Sequence, residues 1–133
     1  MLVDSSVWID FLRGGASLET RALLQALRQR EPIWIAPPIL QEVLQGADTV
    51  NRFARWERTL GELPLVSDPD PRALARDAAR LYARCRWQGI TIRSANDCLI
   101  AQYAMRSNLA LLHRDRDFNA IAGVEPELKL LPV

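Results

Sequence analysis

Residues 1–12 read MLVDSSVWIDFL. The opening apolar residues fit a short buried strand that runs out at Asp4, and Ser5 to Leu12 read as a short helix closed by Arg13-Gly14-Gly15. A strand passing directly into a helix is the unit from which parallel sheets are built, so the fold depends on whether that unit recurs. The stretch also poses a chemical question. A carboxylate at the exit of a buried strand means little alone and a good deal if other acids reach the same place.

The unit recurs along the chain. LETRALLQALRQR (18–30) is an amphipathic helix with Leu23, Leu24 and Leu27 on one face, and PIWIAP (32–37) is a second strand. Pro37-Pro38 opens the helix PILQEVLQGA (38–47), since proline is tolerated in a first helical turn. Residues 49–60 continue helically before ELPLV (62–66), the third strand. Pro71 starts a long helix ending at Gly89, Ser94 starts another (SANDCLIAQYAMRSN, 94–108), and LALLH (109–113) is the fourth strand. DRDFNAI (115–121) is a helical turn and LKLLPV (128–133) a last strand. Strands separated by helices favour parallel pairing through right-handed crossovers. The expected fold is therefore α/β, a three-layer α/β/α domain around a central, mainly parallel, roughly five-stranded sheet.

Length and composition agree with that reading. A chain of 133 residues, 49% of them hydrophobic, suits one domain spanning 1–133 with a substantial core. No run approaches the roughly 20 apolar residues of a membrane helix, and no basic-then-apolar leader opens the chain, so a cytoplasmic, membrane-free protein is expected. Cys85 and Cys98 lack metal-type spacing and read as reduced, packed thiols. The formal net charge is +1, yet Lys129 is the only lysine among 17 cations. Arginine suits bidentate phosphate contact, but charge alone neither requires nor excludes a nucleic-acid partner.

In a parallel sheet the loops leaving the strands emerge at one edge, and ligands bind outside it. Asp4 leaves the first strand there, and Asp115 and Asp117 leave the fourth. Glu42 lies early in the helix after the second strand. The helix bearing Asp97 leads back into the fourth strand, which brings its N-terminus to the same edge. Two bare charges about 4 Å apart repel by roughly 4 kcal/mol at an effective dielectric near 20, so such acids must take up a proton, spread apart or hold a cation. Oxygen ligands without His or Cys suit Mg²⁺ or Mn²⁺ better than zinc, and water activated by such an ion can attack a phosphodiester. Each acid also has a plainer reading. Asp97 follows Ser94 at capping-box spacing, Asp115 and Asp4 could cap the helices that begin beside them, and Glu42 could lie on a solvated helix face.

VDSSVWIDFL, PILQEVLQG, SANDCLIAQYA and LLHRDRDF, taken in that order, resemble the PIN-domain family, and more closely its VapC branch, ribonuclease toxins of bacterial and archaeal toxin–antitoxin pairs. The resemblance covers essentially the whole chain. It puts the family's four acids on Asp4, Glu42, Asp97 and Asp115, a frequently acidic position on Asp117, and a small polar residue of the first loop on Ser6. It implies a Mg²⁺- or Mn²⁺-dependent endoribonuclease acting on tRNA or another structured RNA. It implies also a homodimer and a cognate VapB-like antitoxin. In that reading Asp4, Asp97 and Asp115 hold metal, and Glu42 orients or deprotonates water. Asp117 either assists through water or satisfies the turn that follows it.

Arg93, Arg114 and Arg116 flank the acids and could grip RNA phosphates or simply pair with carboxylates. His113, the only histidine, fits a structural position at the end of the fourth strand better than an acid–base role. Trp8 and Trp34 read as core, whereas Trp56 or Trp87 could meet a partner helix. The alternative from another class is a non-catalytic PIN-like module that binds RNA or protein and uses its acids structurally. A phosphohydrolase or phosphoacceptor is disfavoured, because such chemistry usually wants a lysine near the phosphoryl group and Lys129 lies in the last strand.

Overall fold

A computed structural model describes residues 1–132. Along the chain run β1 (Leu2–Val3), α1 (Ser5–Leu12), α2 (Leu18–Arg28), α3 (Pro37–Gln45), α4 (Val50–Gly61), α5 (Pro71–Trp87), α6 (Ala95–Arg106), β2 (Leu111–Leu112) and α7 (Arg116–Val124). The helices follow local rules. Asp4, Ser17, Thr49, Asp70 and Asp115 each accept a backbone N–H at the start of the helix that follows them. The turn expected at 115–121 is a full helix reaching Val124.

The sheet is smaller than the expected five strands. β1 and β2 pair in parallel, Leu2 with Leu111 and Val3 with Leu112. Among the described residues the other three segments join through isolated parallel bridges, Leu2 to Trp34, Ile35 to Leu65 and Leu111 to Leu130. Few backbone bonds mark these junctions: one from the Trp34 amide to the Met1 carbonyl (2.9 Å), and two at Ile35, where its amide donates to the Pro64 carbonyl (3.0 Å) and its carbonyl accepts from the Val66 amide (2.8 Å). Proline explains part of the shortfall. Pro32 and Pro37 bound the second segment, Pro64 interrupts the third and Pro132 falls within the fifth, and none can donate to a ladder.

Short as it is, this sheet sits at the centre of the core. Leu2, Val3, Leu111 and Leu112 are all buried, as befits parallel strands covered on both faces. Around them one hydrophobic cluster gathers Trp8, Leu23, Ile39, Leu60, Leu81, Ile100, Phe118 and Ile121. Cys85 and Cys98 are free and buried, and burial pushes the Cys98 thiol up to about 12. Trp34 is half-buried against the core. Trp56 is buried with the Arg13 guanidinium 6.0 Å above its ring, so it presents no face to a partner, whereas Trp87 is 75% exposed at the end of α5.

Candidate active site

Parallel pairing brings the ends of β1 and β2 to one edge, where the Asp4 amide donates to the Leu112 carbonyl at 2.9 Å. Asp4 thus starts α1 beside the 113–115 loop that leads into α7. Asp97 lies in the first turn of α6. Carboxylate oxygens of Asp97, Asp115 and Asp117 all fall within 4.8 Å of one another. Asp4 and Glu42 stand outside that trio but close enough for their charges to act on Asp97.

The plainer readings of these acids divide. Ser94 precedes α6 without making a side-chain cap, so the capping box spelled by Ser94 and Asp97 is not formed, and Asp97 Oδ2 is buried with no hydrogen-bond partner among the described residues. Asp4 does cap α1, through Oδ2, which accepts from the Ser6 hydroxyl (2.7 Å) and the Ser6 amide (3.3 Å). Its Oδ1 is buried and unpartnered. Asp115 caps α7 by accepting from the Asp117 amide at 2.9 Å. Glu42 is not a solvated helix residue: its carboxylate accepts from the Ser5 hydroxyl at 2.5 Å and the Asn96 side-chain amide at 3.0 Å.

The arginines separate equally clearly. Arg93 donates from its amide and Nε to Asp117 Oδ2, each at 3.1 Å, and from its terminal nitrogen to Asp115 Oδ1 at 2.7 Å. Arg114 turns away from the trio to Asp10 (2.8 Å) and Glu19 (3.6 Å). Arg116 is exposed and in no ion pair among the described residues. The His113 Nδ1 accepts the Asp115 amide at 3.2 Å and its ring packs 5.2 Å from Phe118, a structural role. Ser5, Asn96, Asp10 and Glu19 escaped the sequence reading. Ser5 and Asn96 are immediate neighbours of Asp4 and Asp97, which is the one signal that could have found them.

Electrostatics follow burial. Asp97 is 7% exposed, and burial first, then the charges of Asp4, Asp115, Glu42 and Asp117, push its carboxyl up to about 7. Burial likewise raises Asp4, against the lowering effect of its bonds from Ser6. For Asp117 burial acts upward, but the Arg93 amide and guanidinium outweigh it and hold the carboxyl below its ordinary value.

A raised carboxyl penalises the fold once it ionises. The penalty is absent below the ordinary value of 3.8, grows as pH rises, and for Asp97 is complete above about 7. The metal-free protein is therefore expected to lose stability between about pH 4 and pH 7, seen as a lower urea midpoint at pH 8 than at pH 4. Asp117, held low by Arg93, contributes stability that fades only below pH 4, outside this window.

A small parallel sheet with acids gathered at its strand ends, three of them buried, is an arrangement whose hard oxygen donors could hold a divalent cation. The chain belongs to the PIN-domain family, whose profile matches residues 1–124. It is 38% identical over 127 residues to VapC ribonuclease Mb1587 of Mycobacterium bovis, across 93% of this chain and 92% of that protein. Ribonuclease VapC11 of Mycobacterium tuberculosis matches to the same extent. Among solved structures, VapBC2 from Rickettsia felis bound to a promoter DNA fragment superposes with a TM-score of 0.74 at 18% identity, covering 98% of this chain and 96% of that one. FitAcB from Neisseria gonorrhoeae gives 0.70 at 19% identity with the same coverage. At those identities the likeness is one of fold.

Proposed function

We propose that this chain is a Mg²⁺- or Mn²⁺-dependent endoribonuclease, the toxin of a type II, VapBC-like toxin–antitoxin pair. The observation that carries the reading is the pair of buried, unpartnered carboxylate oxygens, Asp4 Oδ1 and Asp97 Oδ2, at the rim where Asp115 and Asp117 converge. Leaving two such groups without a partner is costly unless a cation completes them. All the donors are hard oxygens, which fits Mg²⁺ or Mn²⁺. The ribonuclease names of the 38% identical relatives supply the substrate class.

In this reading Asp4, Asp97 and Asp115 hold the ion. When bound, the ion would polarise a water and offset charge growing on the scissile phosphate. Ser6 fixes Asp4 through its 2.7 Å bond, leaving Oδ1 free for the ion. Glu42, clamped by Ser5 and Asn96, orients the attacking water and takes its proton. Asp117 ties the loop before α6 to the start of α7 through Arg93. Arg116, exposed beside the acids, is the readiest phosphate contact of the three arginines. Arg114 would have to leave Asp10 and Glu19 first.

A cognate VapB-like antitoxin, pairing of two copies of the chain and a cytoplasmic site of action belong to the same reading and rest on the family. No helix among the described residues is long and apolar enough to cross a membrane. The test is incubation of purified, antitoxin-free protein with a total small-RNA pool in Mg²⁺, Mn²⁺ or EDTA. Discrete fragments are expected with either ion and none in EDTA. Intact RNA from folded protein under every ion would leave the chain as a non-catalytic RNA- or protein-binding module.

A further inference from the structure

The Arg93 guanidinium spans two of the three clustered acids, its terminal nitrogen on Asp115 and its Nε on Asp117. It offsets the charge of Asp115 and Asp117 and leaves Asp97 Oδ2 and, beside the trio, Asp4 Oδ1 without a partner among the described residues. The side chain is 59% exposed, so little packing holds it. The backbone behaves differently: the Arg93 amide bonds Asp117 whatever the side chain does. Only the guanidinium is free to leave.

We propose that Arg93 is a tethered counter-ion, which occupies Asp115 and Asp117 when no divalent ion is present, gives up Asp115 when one binds, and then takes an RNA phosphate. This inference rests on the metal-site reading above and adds the order of events within it. A divalent ion using Asp115 draws on the same carboxylate charge as the guanidinium, and two cations a few ångströms apart repel. The displaced guanidinium remains at the rim, where its planar fork suits a phosphate. Arg93 therefore lowers metal affinity in the absence of RNA and raises affinity for RNA once the metal is bound.

The experiment is Mn²⁺ titration calorimetry without RNA on the wild type, Arg93→Gln and Arg114→Gln. Arg114→Gln removes the same charge from a residue bonded to Asp10 and Glu19 instead of to the cluster. Arg93→Gln is expected to bind Mn²⁺ about three- to tenfold more tightly and Arg114→Gln to change by less than about twofold, as partly exposed ion pairs imply. In the wild type Mg²⁺ should shift both the Asp97 carboxyl carbon and the Arg93 Nε–Hε signals in NMR spectra. With RNA, Arg93→Gln should raise KM more than it lowers kcat. Unchanged or weaker Mn²⁺ affinity in Arg93→Gln overturns the inference, as does an Asp97 shift with Arg93 unmoved. If neither signal responds to Mg²⁺, the metal-site reading fails and this inference with it.

Discussion

Asp97→Asn is expected to lower metal-dependent RNA cleavage by on the order of a hundredfold or more and, without metal, to stabilise the folded protein at pH 8. Loss of cleavage follows if Asp97 holds the ion as proposed, since even groups that only support ligands typically cost 10- to 100-fold. The gain in stability follows from burial. The Asp97 carboxyl, raised to about 7, is held in its unfavoured charged form at pH 8, with Oδ2 unpartnered. A neutral amide of the same shape removes that penalty, although it must itself be accommodated. The net gain should be about 1–3 kcal/mol at pH 8 and should shrink to a small fraction of that by pH 4, where the folded-state carboxyl is protonated and the unfolded one only partly ionised.

Urea unfolding at pH 8 and pH 4 in EDTA, beside the cleavage assay, reads both effects. A merely structural aspartate would show the opposite pattern, with stability lost at pH 8 and cleavage retained, and the proposed centre would then be wrong. Mg²⁺ provides a further contrast. It should raise the thermal midpoint of the wild type at pH 8 and leave that of Asp97→Asn nearly unmoved, because an ion that binds only the folded state stabilises in proportion to its affinity.

The two effects share an origin that the sequence discloses only in part. That Asp4, Asp97 and Asp115 start from one edge follows from the order of strands and helices, which apolar runs and the prolines at 37 and 71 make legible. How much of each apolar run becomes a strand does not follow. PIWIAP and ELPLV have the composition of strands, yet their prolines withhold ladder donors and they meet the sheet at single bridges. The capping box at Ser94 and Asp97 is a local pattern that tertiary structure overrides, because Asp97 is turned into the cluster. Asp115 shows that a cap and a cluster position can be one residue. The clamp on Glu42 joins Ser5 and Asn96 to a residue 37 and 54 positions away, and the Arg93–Asp117 tie spans 24. Such pairs depend on loop conformation, and no spacing rule within a helix or strand encodes them.

Phe118→Ala should be the most destabilising single change near the site, costing about 3–5 kcal/mol. Phe118 is fully buried on α7, directly after Asp117, with the His113 ring 5.2 Å away and Ile121 and Leu111 in the same core cluster. Removing its ring leaves a cavity beneath the helix whose first turn carries Asp117 and whose cap is Asp115. Domains of this size have only about 5–15 kcal/mol in hand, so the alanine variant could populate unfolded chains at growth temperature. Phe118→Leu retains most of the apolar volume and should stay folded. Its value is as a probe of whether the packing of α7, and not only its charges, sets the cluster. A helix start displaced by a fraction of an ångström moves Asp115 and Asp117 relative to Asp97, so Mn²⁺ affinity and kcat in Phe118→Leu should fall together, several-fold. If urea unfolding shows the stability loss while Mn²⁺ affinity and kcat match the wild type, the α7 end of the cluster is held by Arg93 and the backbone caps alone, and the core beneath it is dispensable to the chemistry.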